Sequence, residues 1–470
     1  VSWDLTTERS SIETRAAARI DQRVLWVIAL AILVRLAFLA LGGAATLQND
    51  ELQYQEIATN LVAGNGYALD GHLTSWRPPL YPAMLAVLYE IAGSTDPFVA
   101  RVAQAGLSLV TALLVLVLTR SLFGQQAAFI AFVITAFYPS SLFYANHLLT
   151  EGLFTLLVTL TAVCFAGYLA SDRWTWLPAI GAVSGLAALA RDVFLPVVGL
   201  LALVTLVVRR HHPLRAVAHV AVIGAIAAAI IAPWTVRNYR VFGTFTPIAT
   251  NGGPSFLAGN NEFTPLDRPW QYQEFSRDQR WRTIAPETLN EGRRQQVAYQ
   301  KAFEFIREHP GLTFHRGLIK AANVWGLERE VVGTILKDGY GRAARSLATP
   351  AAVVIMGAYA GTLLVGLTGL TFAVARGTGV LAPFHVFFAG LVAFVTLVHA
   401  GAFGHPRYHL PLMPVFAGYA AYAWTIRSEI WRARRSRAVA VVCALAVVAF
   451  LIWGRELILE MARFRGMLAD

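Results

Sequence analysis

Asp50 and Glu51 are adjacent carboxylates, and Tyr54 follows about one helical turn later. Such acids commonly open a helix, where they sit well against its dipole. Held at a membrane face, the same carboxylates are general-base candidates, because a low dielectric raises their basicity toward a nearby hydroxyl. Glu151, in Thr150-Glu151-Gly152, lies at the edge of an apolar run. An acid at mid-membrane costs about 2.5 to 3.5 kcal/mol to insert, so Glu151 calls for a partner, a water-filled cavity or a path to the surface. Arg77 precedes Pro78-Pro79, and Arg407 lies within His405-Pro406-Arg407-Tyr408-His409. A guanidinium fork matches phosphate oxygens and stays charged at any working pH, so both are phosphate candidates, with lipid headgroups the ordinary alternative. Arg237, after Pro233-Trp234, is a weaker candidate for the same anion, and Arg191 beside Asp192 reads as structural. Arg35 either lines a cavity or snorkels. His405 and His409 are four apart, but Pro406 interrupts any helix there and no third ligand is evident, so no metal is assigned.

These residues are set in a chain of 470 residues that is 56% hydrophobic and only 14% charged, where a soluble domain carries about 25% charge. The fold class expected is an all-α polytopic membrane protein. The formal charge of +11 is spread in short arginine runs between apolar stretches, which argues against nucleic acid. Cys164 and Cys443 both lie in apolar runs and suggest neither a disulfide framework nor a thiolate site. A crossing needs about 20 apolar residues. Candidate runs are 24–43, 98–119, 126–143, 148–170, the shorter pair 176–190 and 193–208, then 216–234, 351–375, 381–400, 410–426 and 438–453. That is about eleven transmembrane helices. The first run is too long for a signal peptide, and Arg9, Arg15, Arg19 and Arg23 hold residues 1–23 on the cytoplasmic side. Arg120, Arg173, Arg209, Arg210, Arg376 and the cluster from Arg427 to Arg437 then fall in cytoplasmic loops, as the positive-inside rule requires.

Two polar segments land outside: 44–97, within an N-terminal membrane core of 24–235, and 236–349, before the C-terminal helices of 350–470. In the first, Tyr54, Ile57, Ala58, Leu61 and Val62 repeat at helical spacing behind a cap-like Asn49-Asp50, predicting an amphipathic juxtamembrane helix. Pro78 and Pro79 force extended chain before a second helix at 83–91, and His72 lies between the two. The second segment opens on the turn Asn251-Gly252-Gly253-Pro254 and predicts a helix near 295–308. Neither segment forms a soluble enzyme domain.

Asn49-Asp50-Glu51 with Tyr54, Arg77-Pro78-Pro79-Leu80-Tyr81-Pro82, Thr150-Glu151, Ala232-Pro233-Trp234 with Arg237-Asn238-Tyr239, Asn251-Gly252-Gly253 with Gly259-Asn260-Asn261, and Arg407-Tyr408 with Pro411 and Pro414 occur in this order at outer helix ends. Together they resemble the bacterial branch of the GT-C glycosyltransferases, the protein-mannosyltransferase-like group that includes the aminoarabinose transferases. The resemblance implies a multi-pass enzyme of the bacterial inner membrane, its active site facing the periplasm. It would move a sugar, hexosyl or pentosyl, from a polyprenyl-phosphate donor to a hydroxyl on a cell-envelope lipid, glycan or protein. It maps the essential acid to Asp50, with Glu51 beside it and Glu151 as a second acid. The phosphate contacts map to Arg77, with Arg407 and Arg237, and the substrate cavity to Tyr54, Tyr81, Tyr408 and His405. The aminoarabinose transferases carry a metal-binding glutamate before the cation; Trp76 stands there in this chain, which speaks against that metal and that activity.

A phosphate leaves as an anion, so one base and a cationic clamp suffice without a strong acid. Attack by a deprotonated hydroxyl from the far side of the anomeric carbon inverts it, with no covalent intermediate. No cofactor is required. No cytoplasmic segment has a Gly-rich phosphate loop or the length of a nucleotide domain, so no nucleotide sugar is expected. The rival readings are a transporter or flippase of a lipid-linked sugar, and a ligase acting on a polyprenyl-diphosphate oligosaccharide.

Overall fold

The computed structural model describes residues 22–42, 46–265, 290–328, 331–333, 348–377 and 379–469. Each apolar run of the sequence is helical. Among the described residues, seven helices are long and apolar enough to span a membrane: α1 (Gln22–Gly42), α4 (Pro97–Phe123), α7 (Glu151–Ser171), α10 (Pro213–Phe242), α14 (Ala348–Arg376), α15 (Ala382–Gly401) and α18 (Arg437–Ala469). The helices α5 (Gln125–Ala136) and α6 (Pro139–Ala145) make an eighth, bent by 47°; Pro139 opens α6 with no N–H to carry the ladder across the bend.

The count of eleven is not established by length. The remaining runs form α8 (Trp176–Ala190, 15 residues), α9 (Leu195–Val208, 14 residues) and α16 (Met413–Thr425, 13 residues). They are short for local reasons. Arg191 leaves α8 in an extended conformation before the 3-10 turn Asp192–Phe194, and α16 is preceded by the proline-bearing 3-10 turn Pro406–Leu412. A short helix α17 (Arg427–Arg432) joins α16 to α18.

Lipid supplies little hydrophobic drive between helices, so close backbone approach between small residues matters. The helices α8 and α10 pack through Gly181 and Gly185; a Cβ there would lie 2.7 Å from the Ile223 carbonyl oxygen and 3.1 Å from that of Ala227. Gly366 and Gly369 do the same for α14 against α16, at the Phe416 and Tyr419 carbonyls. Arg35 of α1 is buried and binds Ser108 Oγ at 2.9 Å and the Ala136 carbonyl at 3.0 Å. It therefore ties α1 to α4 and α5.

The first outer segment follows its periodicity: α2 (Asp50–Val62) buries Glu51, Tyr54, Ile57 and Ala58. A two-stranded hairpin follows, β1 (Ala68–Leu69) and β2 (His72–Leu73), turned by Asp70 and Gly71 at φ 52° and 76°. Two positive φ values in a two-residue loop suit the twist of paired strands, and His72 is exposed on β2. The helix α3 (Leu80–Ala92) starts directly behind Pro78-Pro79, three residues earlier than periodicity placed it. The second segment holds α11 (Gly252–Gly259), α12 (Glu291–Glu308) and α13 (Pro310–Val324). The glycines of its turn motif have a packing reason, since a Cβ on Gly253 would overlap the Gln295 carbonyl and one on Gly259 that of Ala402.

Gly369→Leu is expected to destabilise the protein by about 2 kcal/mol or more, as overpacking against backbone does. Thermal unfolding in detergent should show the drop, and an unchanged midpoint would contradict this packing.

Candidate functional site

Asp50 is the first residue of α2, and Gln53 and Tyr54 share its helix face at spacings of three and four. That face receives Arg77. Arg77 Nη2 donates to Asp50 Oδ1 at 2.5 Å and Nε to Gln53 Oε1 at 2.8 Å, while the guanidinium lies 5.3 Å from the Tyr54 ring centre. The hairpin steadies the stretch after it: Tyr67 OH bonds the carbonyls of Arg77 and Pro78 at 2.8 and 3.1 Å. Asp50 Oδ2 meets Arg407 Nη2 at 3.3 Å, so each carboxylate oxygen has its own arginine. Burial would raise the Asp50 carboxyl, but Arg77 and then Arg407 outweigh it and hold the group well below the usual carboxylate range. Burial likewise works against the Arg77 charge, yet Tyr54 and Asp50 leave it raised.

Glu151, only 1% exposed, opens α7 beside this pair. Its Oε1 accepts from Arg191 Nη2 at 3.0 Å and pairs with Arg407 Nε at 3.7 Å. Its Oε2 has no hydrogen-bond partner among the described residues. A buried carboxylate oxygen left unbonded demands an explanation, and a ligand contact is one. Tyr408 is the floor under both cations, 5.5 Å from Arg191 and 5.6 Å from Arg407, and its ring stacks on His399 at 4.1 Å.

Arg191 was missed as a site residue because Asp192 adjoins it. The available signal was its position: it closes a short helix at the same outer level where Glu151 opens its own. The expectation that Glu151 needs a partner or a cavity is answered by Arg191 and Arg407.

Other expected residues are placed elsewhere. Glu51 Oε1 accepts from the Leu148 N–H at 2.8 Å and lies 3.3 Å from His147 Nδ1, while Oε2 accepts from the Gln48 N–H at 3.1 Å. Both its oxygens fasten backbone, the capping role rather than a catalytic one. Arg237 donates to the Thr74 and Tyr67 carbonyls and to Ser75 Oγ, at 2.7, 3.3 and 2.7 Å, and stacks 4.8 Å from Trp234. It is committed to the loop behind Arg77 and makes no contact with Asp50 or Glu151 among the described residues. Tyr81 is buried, meets the Tyr54 ring at 5.0 Å and bonds Gln104 Oε1 at 2.9 Å. His405 Nδ1 accepts from the Arg407 N–H at 3.3 Å, capping the turn that carries the arginine.

Beneath Arg191 and Tyr408 an apolar pocket runs between α7, α9 and α15, lined by Phe154, Val158, Val197, Leu391 and Val395. Among the described residues, three arginines thus face two carboxylates, and one of the three, Arg191, also lines the apolar pocket.

Residues 76–236 match the family model of the dolichyl-phosphate-mannose-protein mannosyltransferases. No curated protein matches the chain. Among solved structures, the oligosaccharyltransferase of Archaeoglobus fulgidus in the apo form is 14% identical over 90% of this chain and 54% of its own, at a TM-score of 0.51. This chain therefore spans about half the length of that enzyme. ArnT from Cupriavidus metallidurans bound to undecaprenyl phosphate is 16% identical over 87% of this chain and 79% of its own, at a TM-score of 0.43. The fold is all-α and polytopic and is similar to that of the oligosaccharyltransferase over most of this chain, while the family-model match covers about a third of it. Trp76 carries Arg294 over its ring at 5.4 Å, and no three His, Cys, Asp or Glu side chains converge among the described residues.

Because its folded pKa is depressed, Asp50 contributes stability that is complete above the unfolded carboxyl value of about 3.9 and is lost as pH falls through the lower folded value. The stability difference between wild type and Asp50→Asn should therefore hold steady from pH 7 to about 4.5. Thermal unfolding across that range checks it; a difference that fades before pH 5 would refute the double arginine clamp.

Proposed function

We propose, on the premise of the GT-C fold and the family match over residues 76–236, that this chain is an inverting glycosyltransferase using a polyprenyl-phosphate sugar. The observation that carries the reading is Asp50 shared between Arg77 and Arg407. Three guanidinium groups against two carboxylates leave one positive charge over, a balance that suits a phosphate anion.

In this reading the donor phosphate takes Arg77 and Arg407, with Arg191 behind them. Arg237 is left out because its donors are already used on the first outer loop. Asp50 then loses the cations that depress it, while its burial remains, so donor binding itself raises its basicity. Asp50 takes the proton of the acceptor hydroxyl, the acceptor oxygen bonds the anomeric carbon from the far side, and the bond to phosphate oxygen breaks. Polyprenyl phosphate leaves with its added charge held by the arginines, a stabilisation preorganised before reaction. Glu151 Oε2, the unbonded oxygen, faces a hydroxyl of the sugar, and Tyr54, Tyr81 and Tyr408 wall the cavity. The acceptor is a hydroxyl of a cell-envelope lipid, glycan or protein. The arginine-rich loops put residues 1–23 inside and the site on the periplasmic face of a bacterial inner membrane.

Purified protein in lipid, given a panel of polyprenyl-phosphate sugars and envelope lipid extract, is expected to consume one donor into a glycoconjugate of inverted configuration. Asp50→Asn should lower turnover by about 10²- to 10⁴-fold while still binding donor, and Arg77→Ala should weaken donor binding instead. Donor that merely crosses the bilayer, indifferent to Asp50→Asn, would make the protein a carrier.

A further inference from the structure

Arg407 reaches the site from the 3-10 turn Pro406–Leu412, and two residues further on that turn is anchored by His409, whose side chain is fully buried. Its ring lies between Tyr359, 4.4 Å away, and Trp325, 5.9 Å away, both close to parallel. His409 Nδ1 is 2.6 Å from the Val324 carbonyl oxygen, and Nε2 is 3.3 Å from Glu328 Oε1. A carbonyl oxygen only accepts, so Nδ1 carries a hydrogen. In a neutral ring Nε2 would then point a lone pair at a carboxylate oxygen, which is repulsive; a proton must stand between them. Glu328 already accepts from Tyr138 OH on Oε1 at 3.0 Å and from Ser140 Oγ on Oε2. The nearby Glu456 is spent on the Leu327 N–H at 2.7 Å.

We propose that His409 is a positioning residue for Arg407: bridging the Val324 carbonyl and the Glu328 carboxyl, it pins the turn so that one guanidinium reaches both Asp50 and Glu151. Three distant stretches meet to build this anchor: Tyr138 and Ser140 at the bend between α5 and α6, Val324 to Glu328 after α13, and Tyr359 of α14. None of these side chains is expected to touch substrate. Its meaning for donor binding rests on the transferase reading, but the geometry does not.

The test is a double-mutant cycle between Arg407→Ala and His409→Gln, with Glu328→Gln as an isosteric second variant, read two ways in lipid. With undecaprenyl phosphate as probe, His409→Gln or Glu328→Gln is expected to weaken binding about tenfold, the size of one charge-assisted contact. Neither should weaken it further in an Arg407→Ala background. Thermal unfolding without the probe should show the same non-additivity. Additive effects in either readout, or binding at wild-type strength in Glu328→Gln, would overturn the proposal. If wild type binds no polyprenyl phosphate, the transferase reading fails, and the unfolding cycle still decides whether His409 positions Arg407.

Discussion

A charge taken into a membrane protein must find its opposite, and Asp50 finds two. Arg77 comes from the same outer loop, while Arg407 comes from 357 residues further along the chain. Breaking one partner from a buried pair costs about 3 to 5 kcal/mol because the other is left uncompensated. That penalty fixes where helix ends must meet. The starts of α2 and α7, the end of α8 and the turn before α16 converge where their charges, Asp50, Glu151, Arg191 and Arg407, neutralise one another. The spans beneath can then be short or bent, as α8, α9 and the α5–α6 pair are, without losing the register of the site.

The same arrangement makes the site responsive. Ionic partners that satisfy each other are exchangeable for a ligand of like charge, and a phosphate is chemically closer to a carboxylate than to anything else in the pocket. On the proposed reading, the arginines change partner when donor binds, and the acid they release is the one that must act. Turnover would then wait for donor. On the same reading Glu151 keeps Arg191 and serves as the fixed wall of the site.

Much of this was legible in the residues. The apolar runs named the helices, and the spacing of Tyr54, Ile57 and Ala58 named α2. What failed was pairing over distance. Glu51 reads as a twin of Asp50, yet only a fold can send one to Arg77 and the other to the Leu148 backbone. Arg237 and Arg191 exchange roles for the same reason: Arg237 meets the carbonyls of a loop some 160 residues earlier, and Arg191 meets an acid 40 residues earlier. The Asp70-Gly71 hairpin was readable from its turn residues but is too short to show alternation. The span count was the hardest, because the helices on either side of Arg191 and after Pro406 have only 15, 14 and 13 residues, short of a full crossing.

The exchange of partners at Asp50 can be observed directly by determining the structure of the protein in lipid with a polyprenyl-phosphate sugar bound. The account predicts the donor phosphate within about 3 Å of both Arg77 and Arg407, with the Asp50 carboxylate released from Arg77 and turned toward the anomeric carbon. A phosphate bound elsewhere, or bound while the Asp50–Arg77 bond stays intact, would contradict it.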